Sequence, residues 1–403
     1  MSSKITESPE GVTKSVRAEM FTLFGYFFVF GMVGSSWVVR LPEVRSALHI
    51  TTAQLGLVLF AGAVGAMTGI LLSGRFVAKF GARAGSLLGL NLVFVGYVGQ
   101  ASGVAIGSVL LVSLSAVISG LGYGLGDVAI NVEGTDMEKR LQRSLMPPLH
   151  GAYSIGTLAG AGVGTIAIAI GVPLPIQIYA LCLIVAVVAW TTIRLLPSET
   201  GREVDAKSQS SEVHAPAPWR DPRIIFLGLA ILCVIITEGA GLDWLTLSMV
   251  DDYLTDPVRA SIAFAVMMAA MTIVRFAGGV MIDRFGRVVV LRVFAVAGIA
   301  GLLLIIFSHV YAIALIGAAL WGAGVALGFP VLLSAASDGN ADGSSRRVSI
   351  VASFGYVAFL VGPPSLGFLG QSWGLLNMFF VLVGLLAMFV AFAGAAAPRK
   401  SIT

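Results

Sequence analysis

Gly74-Arg75-Phe76-Val77-Ala78-Lys79-Phe80-Gly81-Ala82-Arg83 is answered in the second half of the chain by Gly279-Val280-Met281-Ile282-Asp283-Arg284-Phe285-Gly286-Arg287. Each stretch closes an apolar run with a basic, glycine-bearing turn. The offset is 205 residues (279 − 74), about half of the 403-residue chain. A glycine run repeats the same way. Gly120-Leu121-Gly122-Tyr123-Gly124-Leu125-Gly126 is matched by Gly322-Ala323-Gly324-Val325-Ala326-Leu327-Gly328, 202 residues on (322 − 120). A duplicated apolar chain with the same turn in each half predicts a two-lobed membrane carrier.

Composition agrees. Soluble domains are about a quarter charged; this chain is 11% charged and 57% hydrophobic, too apolar to be hidden in one water-soluble core. The 49 glycines suit close helix–helix approach in lipid. The basic residues are scattered in short turns, a pattern that does not suggest nucleic-acid binding. Cys182 and Cys233 lie in apolar runs and offer neither a disulfide framework nor metal spacing. No cofactor is expected, and no nucleophile-and-base pair or phosphate loop suggests an enzyme or an ATP-driven pump.

Runs of about 20 apolar residues predict twelve transmembrane helices. The first six cover Phe21–Leu41, Gln54–Gly74, Ala84–Ser102, Ile106–Asn131, Pro148–Ile170 and Leu174–Leu195. The second six cover Ile224–Met249, Val258–Met281, Val288–Ser308, Tyr311–Ser334, Val348–Gly370 and Trp373–Ala395. The expected organisation is a tail (1–19), a six-helix lobe (20–196), a polar linker (197–222), a second six-helix lobe (223–395) and a tail (396–403). The polar start predicts a retained first helix and no cleaved leader. Arg75, Lys79, Arg83, Lys139, Arg140, Arg143, Arg284, Arg287, Arg346 and Arg347 fall in alternate loops, on the side of both tails and the linker. The positive-inside rule makes that side cytoplasmic.

Twelve spans, a six-plus-six repeat and the basic turn after the second and eighth helices resemble the major facilitator superfamily. That family's turn reads roughly Gly-x-x-x-Asp-Arg-x-Gly-Arg. Gly279, Asp283, Arg284, Gly286 and Arg287 match it; the first copy keeps Gly74, Gly81 and Arg83 but has Ala78 for the Asp. The resemblance implies that these turns help latch the lobes, with a weaker latch in the first copy. Asp127 followed by Asn131 resembles the fucose-permease-like branch, which includes bacterial inner-membrane permeases of unknown substrate. Val132 replaces that branch's proline, and Val38 stands where it has a first-helix carboxylate. The resemblance implies an all-α fold of two pseudo-symmetric bundles, alternating access and proton-coupled sugar uptake.

Ionisable groups at membrane depth are costly and mark functional positions. Asp127 and Glu238 are candidate proton-coupling acids. Asp127 has no basic residue in its own span; as an alternative it caps or hydrogen-bonds a neighbouring helix. Glu238 can pair with Arg275, either to brace one lobe or within a charged-substrate site. Aligning Gly25 with Gly228 sets Arg40 opposite Asp243, so these two are expected to pair when the external mouth closes, or else to face water separately. Trp37, Tyr123, Asn131, Tyr153, Trp244 and Tyr356 are candidate cavity residues. Gly362-Pro363-Pro364 predicts a kink or a bending point. His150 is expected at a helix end.

The expected activity is therefore proton-coupled secondary transport of a sugar-like or small polar solute across a bacterial inner membrane by a monomer. The partners are that solute, protons and the lipid bilayer. Proton-driven efflux of amphipathic compounds is the alternative, and a non-transporting receptor a more distant one. The fifth span lacks the Gly-Pro pair of the superfamily's antiporters, which favours symport.

Overall fold

Glycine and apolar patterning builds helices throughout. The computed structural model describes residues 9–142, 145–202, 221–338 and 344–398. Most of the predicted linker, Arg143, and the ends of both tails lie outside these residues. Among the described residues there is no strand, and twelve helical spans are long and apolar enough to cross a membrane.

The first lobe holds α1 (Pro9–Val38), α2 (Leu41–Leu48), α3 (Thr52–Phe80), α4 (Ala82–Ala105), α5 (Val109–Leu141), α6 (Met146–Ala169) and α7 (Leu174–Thr192). The second holds α8 (Pro222–Asp251), α9 (Pro257–Phe285), α10 (Arg287–Ser308), α11 (Tyr311–Val325), α12 (Gly328–Ser337), α13 (Ser344–Trp373) and α14 (Leu375–Phe392). The lobes meet where α3 packs on α13, α6 on α9, and α2 on α8.

Three features depart from the apolar windows. The fourth span runs ten residues past Asn131 to Leu141, because hydropathy marks only the part of a helix suited to hydrocarbon. The short helix α2 was not foreseen. It starts after a turn at Val39 and Arg40, with Pro42 in its first turn. The tenth span is split into α11 and α12 at Ala326 and Leu327. Pro330 has no N–H to donate to the Ala326 carbonyl, and that carbonyl accepts instead from Arg275 Nε at 3.2 Å. Gly362-Pro363-Pro364 leaves α13 continuous from Ser344 to Trp373.

The repeat holds at the level of backbone geometry. Gly81 and Gly286 (286 − 81 = 205) have φ/ψ of 86°/159° and 79°/154°, a region an L side chain rarely adopts. That requirement explains why the basic turn keeps its glycine in both copies. At the other membrane face, His49 and Leu254 are both left-handed with φ 52°. Thr51 and Asp256, the same offset apart, cap α3 and α9 by accepting from Gln54 N–H and Arg259 N–H.

Packing repeats as well. Gly120 lies against the Gly62 carbonyl and Gly322 against that of Met267; Gly122 lies against the Gly89 carbonyl and Gly324 against that of Phe294. These partners are again 205 residues apart (267 − 62; 294 − 89). The glycine run is therefore a helix-packing surface, on which a Cβ would displace a neighbouring backbone. Gly156, Gly160 and Gly164 likewise seat α6 on Phe28, Met32 and Ser36 of α1.

At the basic turns, Asp283 and Arg284 are exposed, Arg287 pairs with Asp338 at 2.8 Å, and Arg83 donates to the Leu196 carbonyl at 3.3 Å. Gly74 and Gly279 have open space around them.

Candidate functional site

Among the described residues, the hydrogen bonds that join the lobes lie on the face opposite the basic turns. Arg45 of α2 grips Asp251 at the end of α8 in a two-pronged pair, Nη1–Oδ2 at 2.5 Å and Nη2–Oδ1 at 2.6 Å. Beside it the Thr52 amide of α3 donates to Gln371 Oε1 of α13 at 3.1 Å. Below these bonds Gly56 and Gly367 bring α3 and α13 into close contact. Asp252, next to the gripped Asp251, has one carboxyl oxygen buried without a partner. Burial and the neighbouring Asp251 push its pKa above the usual carboxylate value.

The expected Arg40–Asp243 pair is not formed, although the lobes are in contact at this end. Arg40 is 4% exposed and belongs wholly to the first lobe, donating to Glu43, to Gln177 Oε1 at 2.6 Å and to the Val172 carbonyl at 2.9 Å. The alignment failed because α1 ends at Val38, whereas α8 continues past Asp243 to Asp251. Arg40 thus sits in a turn and Asp243 on a helix wall. The arginine that crosses between lobes is Arg45, whose charge and outer-loop position were visible in the sequence but whose partner was not.

Asp243 instead lines a cavity of about 290 Å³ between the lobes. The walls come from α1 to α5 on one side and from α8 and α13 on the other. Trp37, Tyr97 and Tyr123 form a chain of edge-to-face rings there, with centroids 5.9 Å and 6.2 Å apart. Gln100 donates to Ser119 at 3.0 Å, and Tyr123 Oη donates to the Phe30 carbonyl at 3.0 Å. Trp37 and Tyr123 were anticipated; Tyr97 and Gln100 were not, since nothing marks them beyond their polarity within a span. Trp244 does not belong to this cavity in this conformation. It is fully buried, because the next position on a helix turns about 100° away from its neighbour, and it faces Gly367.

Asp127 faces a second cavity of about 570 Å³, lined also by Asn131, Thr135, Asp136 and Lys139, toward the basic end of α5. Its carboxylate is exposed to that space and accepts from Asn131 Nδ2 at 3.2 Å, while the same amide donates to the Asp127 carbonyl at 2.7 Å. Asn131 stays beside Asp127 because i and i+4 share a helix face. Tyr153 of α6 and Tyr356 of α13 lie within electrostatic reach of Asp127, and Tyr153 also within reach of Glu238 and Arg275.

Glu238 and Arg275 meet at 2.8 Å, both partly buried. Arg275 also holds the broken end of α11, so one guanidinium ties α8, α9 and the α11–α12 break together. His150, exposed in the first turns of α6, packs edge-on to Phe27 at 5.2 Å. Cys182 and Cys233 are buried free thiols. Among the described residues no group of His, Cys, Asp and Glu could hold a metal ion.

The Major Facilitator Superfamily profile matches residues 22–338 and 244–401. An uncharacterised MFS-type transporter of Yersinia pestis is 27% identical over 380 residues, 93% of this chain and 94% of that protein. The crystal structure of a point mutant of the nucleoside transporter NupG aligns with a TM-score of 0.78 at 14% identity, over 94% of this chain and 99% of that one. A point mutant of the Escherichia coli fucose:proton symporter FucP aligns with a TM-score of 0.61 at 19% identity, over 96% and 100%. The chain belongs to the Major Facilitator Superfamily. It is a multi-pass membrane protein and a secondary transporter of a small molecule, not an enzyme.

Proposed function

We propose that this superfamily member couples movement of a small polar, sugar-like solute to protons, with Asp127 as the coupling acid. One observation carries the reading. Asp127 is a membrane-depth carboxylate that faces a cavity, accepts one hydrogen bond from Asn131, and has no cation paired with it among the described residues. A proton is the simplest neutralising partner for such a group. The described lobe contacts belong to a state closed at the Arg45–Asp251 face, in which Asp127 exchanges its proton with the basic side. When the lobes rock, the acid is carried to the other side, and alternating access follows.

The reading extends to orientation and assembly. The basic face is cytoplasmic, with both tails and the linker of 197–222, in a bacterial inner membrane, and the carrier works as a monomer of two lobes (20–196 and 223–395). Asn131, Tyr153 and Tyr356 around Asp127, and Trp37 and Tyr123 in the adjoining cavity, contact the solute. Asp283, Arg284 and Arg287, with Gly74, Gly81, Arg83, Gly279 and Gly286, shape the turns that close the cytoplasmic side in the alternate state. Glu238 is held by Arg275 here and serves as a second protonation site only if that pair opens. Nucleoside and fucose:proton carriers among the structural neighbours support this class of cargo.

The largely apolar walls around Asp243 favour a second reading, export of amphipathic compounds. The test is proteoliposome transport with the Asp127→Asn variant. Solute counterflow is expected to persist while a pH gradient no longer drives accumulation. Undiminished pH-driven accumulation in that variant would remove Asp127 from coupling.

A further inference from the structure

The cavity around Asp243 is separate from the Asp127 site, and its chemistry is specific. Among all the residues lining it, Asp243 is the only aspartate, glutamate, lysine, arginine or histidine. Its side chain is partly exposed to the space, and no hydrogen bond or ion pair involves it among the described residues. Arg40, the cation the repeat would have supplied, is committed to Glu43, Gln177 and the Val172 carbonyl. Arg45 is committed to Asp251. A carboxylate at this depth is neutralised by a proton or by a bound cation, and the make-up of the cavity around it distinguishes the two.

We infer that this cavity is a binding site for a solute bearing an ammonium group, with Asp243 as counter-ion and Trp37, Tyr97 and Tyr123 as the aromatic walls. Three features favour an organic cation over an inorganic one. The space of about 290 Å³ is far larger than a bare ion and close to the lower range of small-molecule sites. The walls are mostly apolar, with Gln100 and Ser119 bonded to each other, so they do not supply the six or so oxygens a hard cation wants. Aromatic rings and a carboxylate lining one cavity are the combination that recognises ammonium groups, through ion pairing and cation–π attraction. The two-pronged Arg45–Asp251 bond joins the lobes on that side of the cavity. The inference rests on the transporter reading and narrows its cargo to a polar solute that is also cationic.

The test uses the purified full-length protein and two pairs of probes that match in shape and differ in charge: glucamine against sorbitol, and choline against 3,3-dimethylbutanol. Binding is read by thermal stability and by tryptophan fluorescence, Trp37 lying in the cavity wall. In at least one pair the charged member is expected to bind about tenfold or more tightly than the neutral one. Asp243→Asn is expected to abolish that preference and Asp243→Glu to retain much of it. Equal binding within both pairs, no binding by either amine, a preference that survives Asp243→Asn, or a response to sodium ions alone would each overturn the inference. Should Asp243→Asn fail to fold, the wild-type comparison still decides. Proteoliposome counterflow separates the two levels. Exchange of sorbitol without preference for glucamine keeps the transporter and discards the ammonium site. Charge-selective binding without any counterflow keeps the site and discards transport.

Discussion

In the first lobe Gly120 rests on the Gly62 carbonyl, and in the second Gly322 rests on that of Met267, in the same geometry one repeat later. The charges within the spans do not follow. Counting 202 residues on from Asp127 leads to Phe329, directly before the Pro330 that breaks the tenth span (127 + 202 = 329). Counting back 205 from Arg275 leads to Ile70 (275 − 205 = 70), so the ion pair that braces the second lobe has no counterpart in the first. Duplication kept what sets how closely helices approach, since a misplaced Cβ at those glycines strains every neighbouring contact. It released the polar positions within the spans, which are free to diverge once the scaffold stands. The first lobe presents an unpaired acid to the basic-side cavity, and the second presents Asp243 to the cavity near the opposite face.

The sharpest way to break this comparison is to make the second lobe resemble the first. Glu238→Gln alone leaves Arg275 partly buried without its counter-charge. It is expected to cost about 2–3 kcal/mol, below the range for fully buried pairs because both groups are partly exposed. Changing both, Glu238→Gln with Arg275→Met, is expected to recover part of that loss, though the Ala326 carbonyl then loses its donor. Unfolding in detergent checks both expectations, and a double variant less stable than Glu238→Gln alone would show that the pair does more than neutralise charge.

A somewhat smaller effect tests the part the lobes share. Gly120→Ala and Gly322→Ala each push a methyl group against a backbone carbonyl, and each is expected to destabilise by about 1–3 kcal/mol. If the two packings are equivalent, the costs agree to within about 0.5 kcal/mol. A large loss in one and none in the other would mean that the lobes relax differently despite matching backbones.

The smallest effect concerns the contact between lobes. Arg45→Gln removes a pair that is 19% and 30% exposed, and is expected to weaken the closed face by about 1 kcal/mol. Disulfide cross-linking between Thr52→Cys and Gln371→Cys would report this as a lower yield. Exchanging the charges, Arg45→Asp with Asp251→Arg, should restore it. An unchanged yield in the single variant would leave the apolar approach of α3 and α13 as the contact that holds this face.

Twelve apolar spans, their offset of 202 to 205 residues and the basic turns were legible because they depend on local rules. A helix needs about 20 apolar residues to cross hydrocarbon, and the turns at Gly81 and Gly286 need a residue that accepts positive φ. The Glu238–Arg275 pairing was legible as two opposite charges on successive helices, whereas Asp127 and Asn131 were read only as a motif, and the bond between them is a finding of the structure. What only the tertiary structure decided is which groups meet across the lobes. Arg45 rather than Arg40 reaches the second lobe because the chain turns at Val39 and Arg40 and α2 carries it sideways. Asp243 lines a cavity while Trp244 is buried, although they are adjacent in sequence, because one residue is about 100° of helix rotation. Depth along a helix can be counted in residues, but the direction a side chain faces is set by how that helix is rotated against its neighbours, and that is fixed by packing.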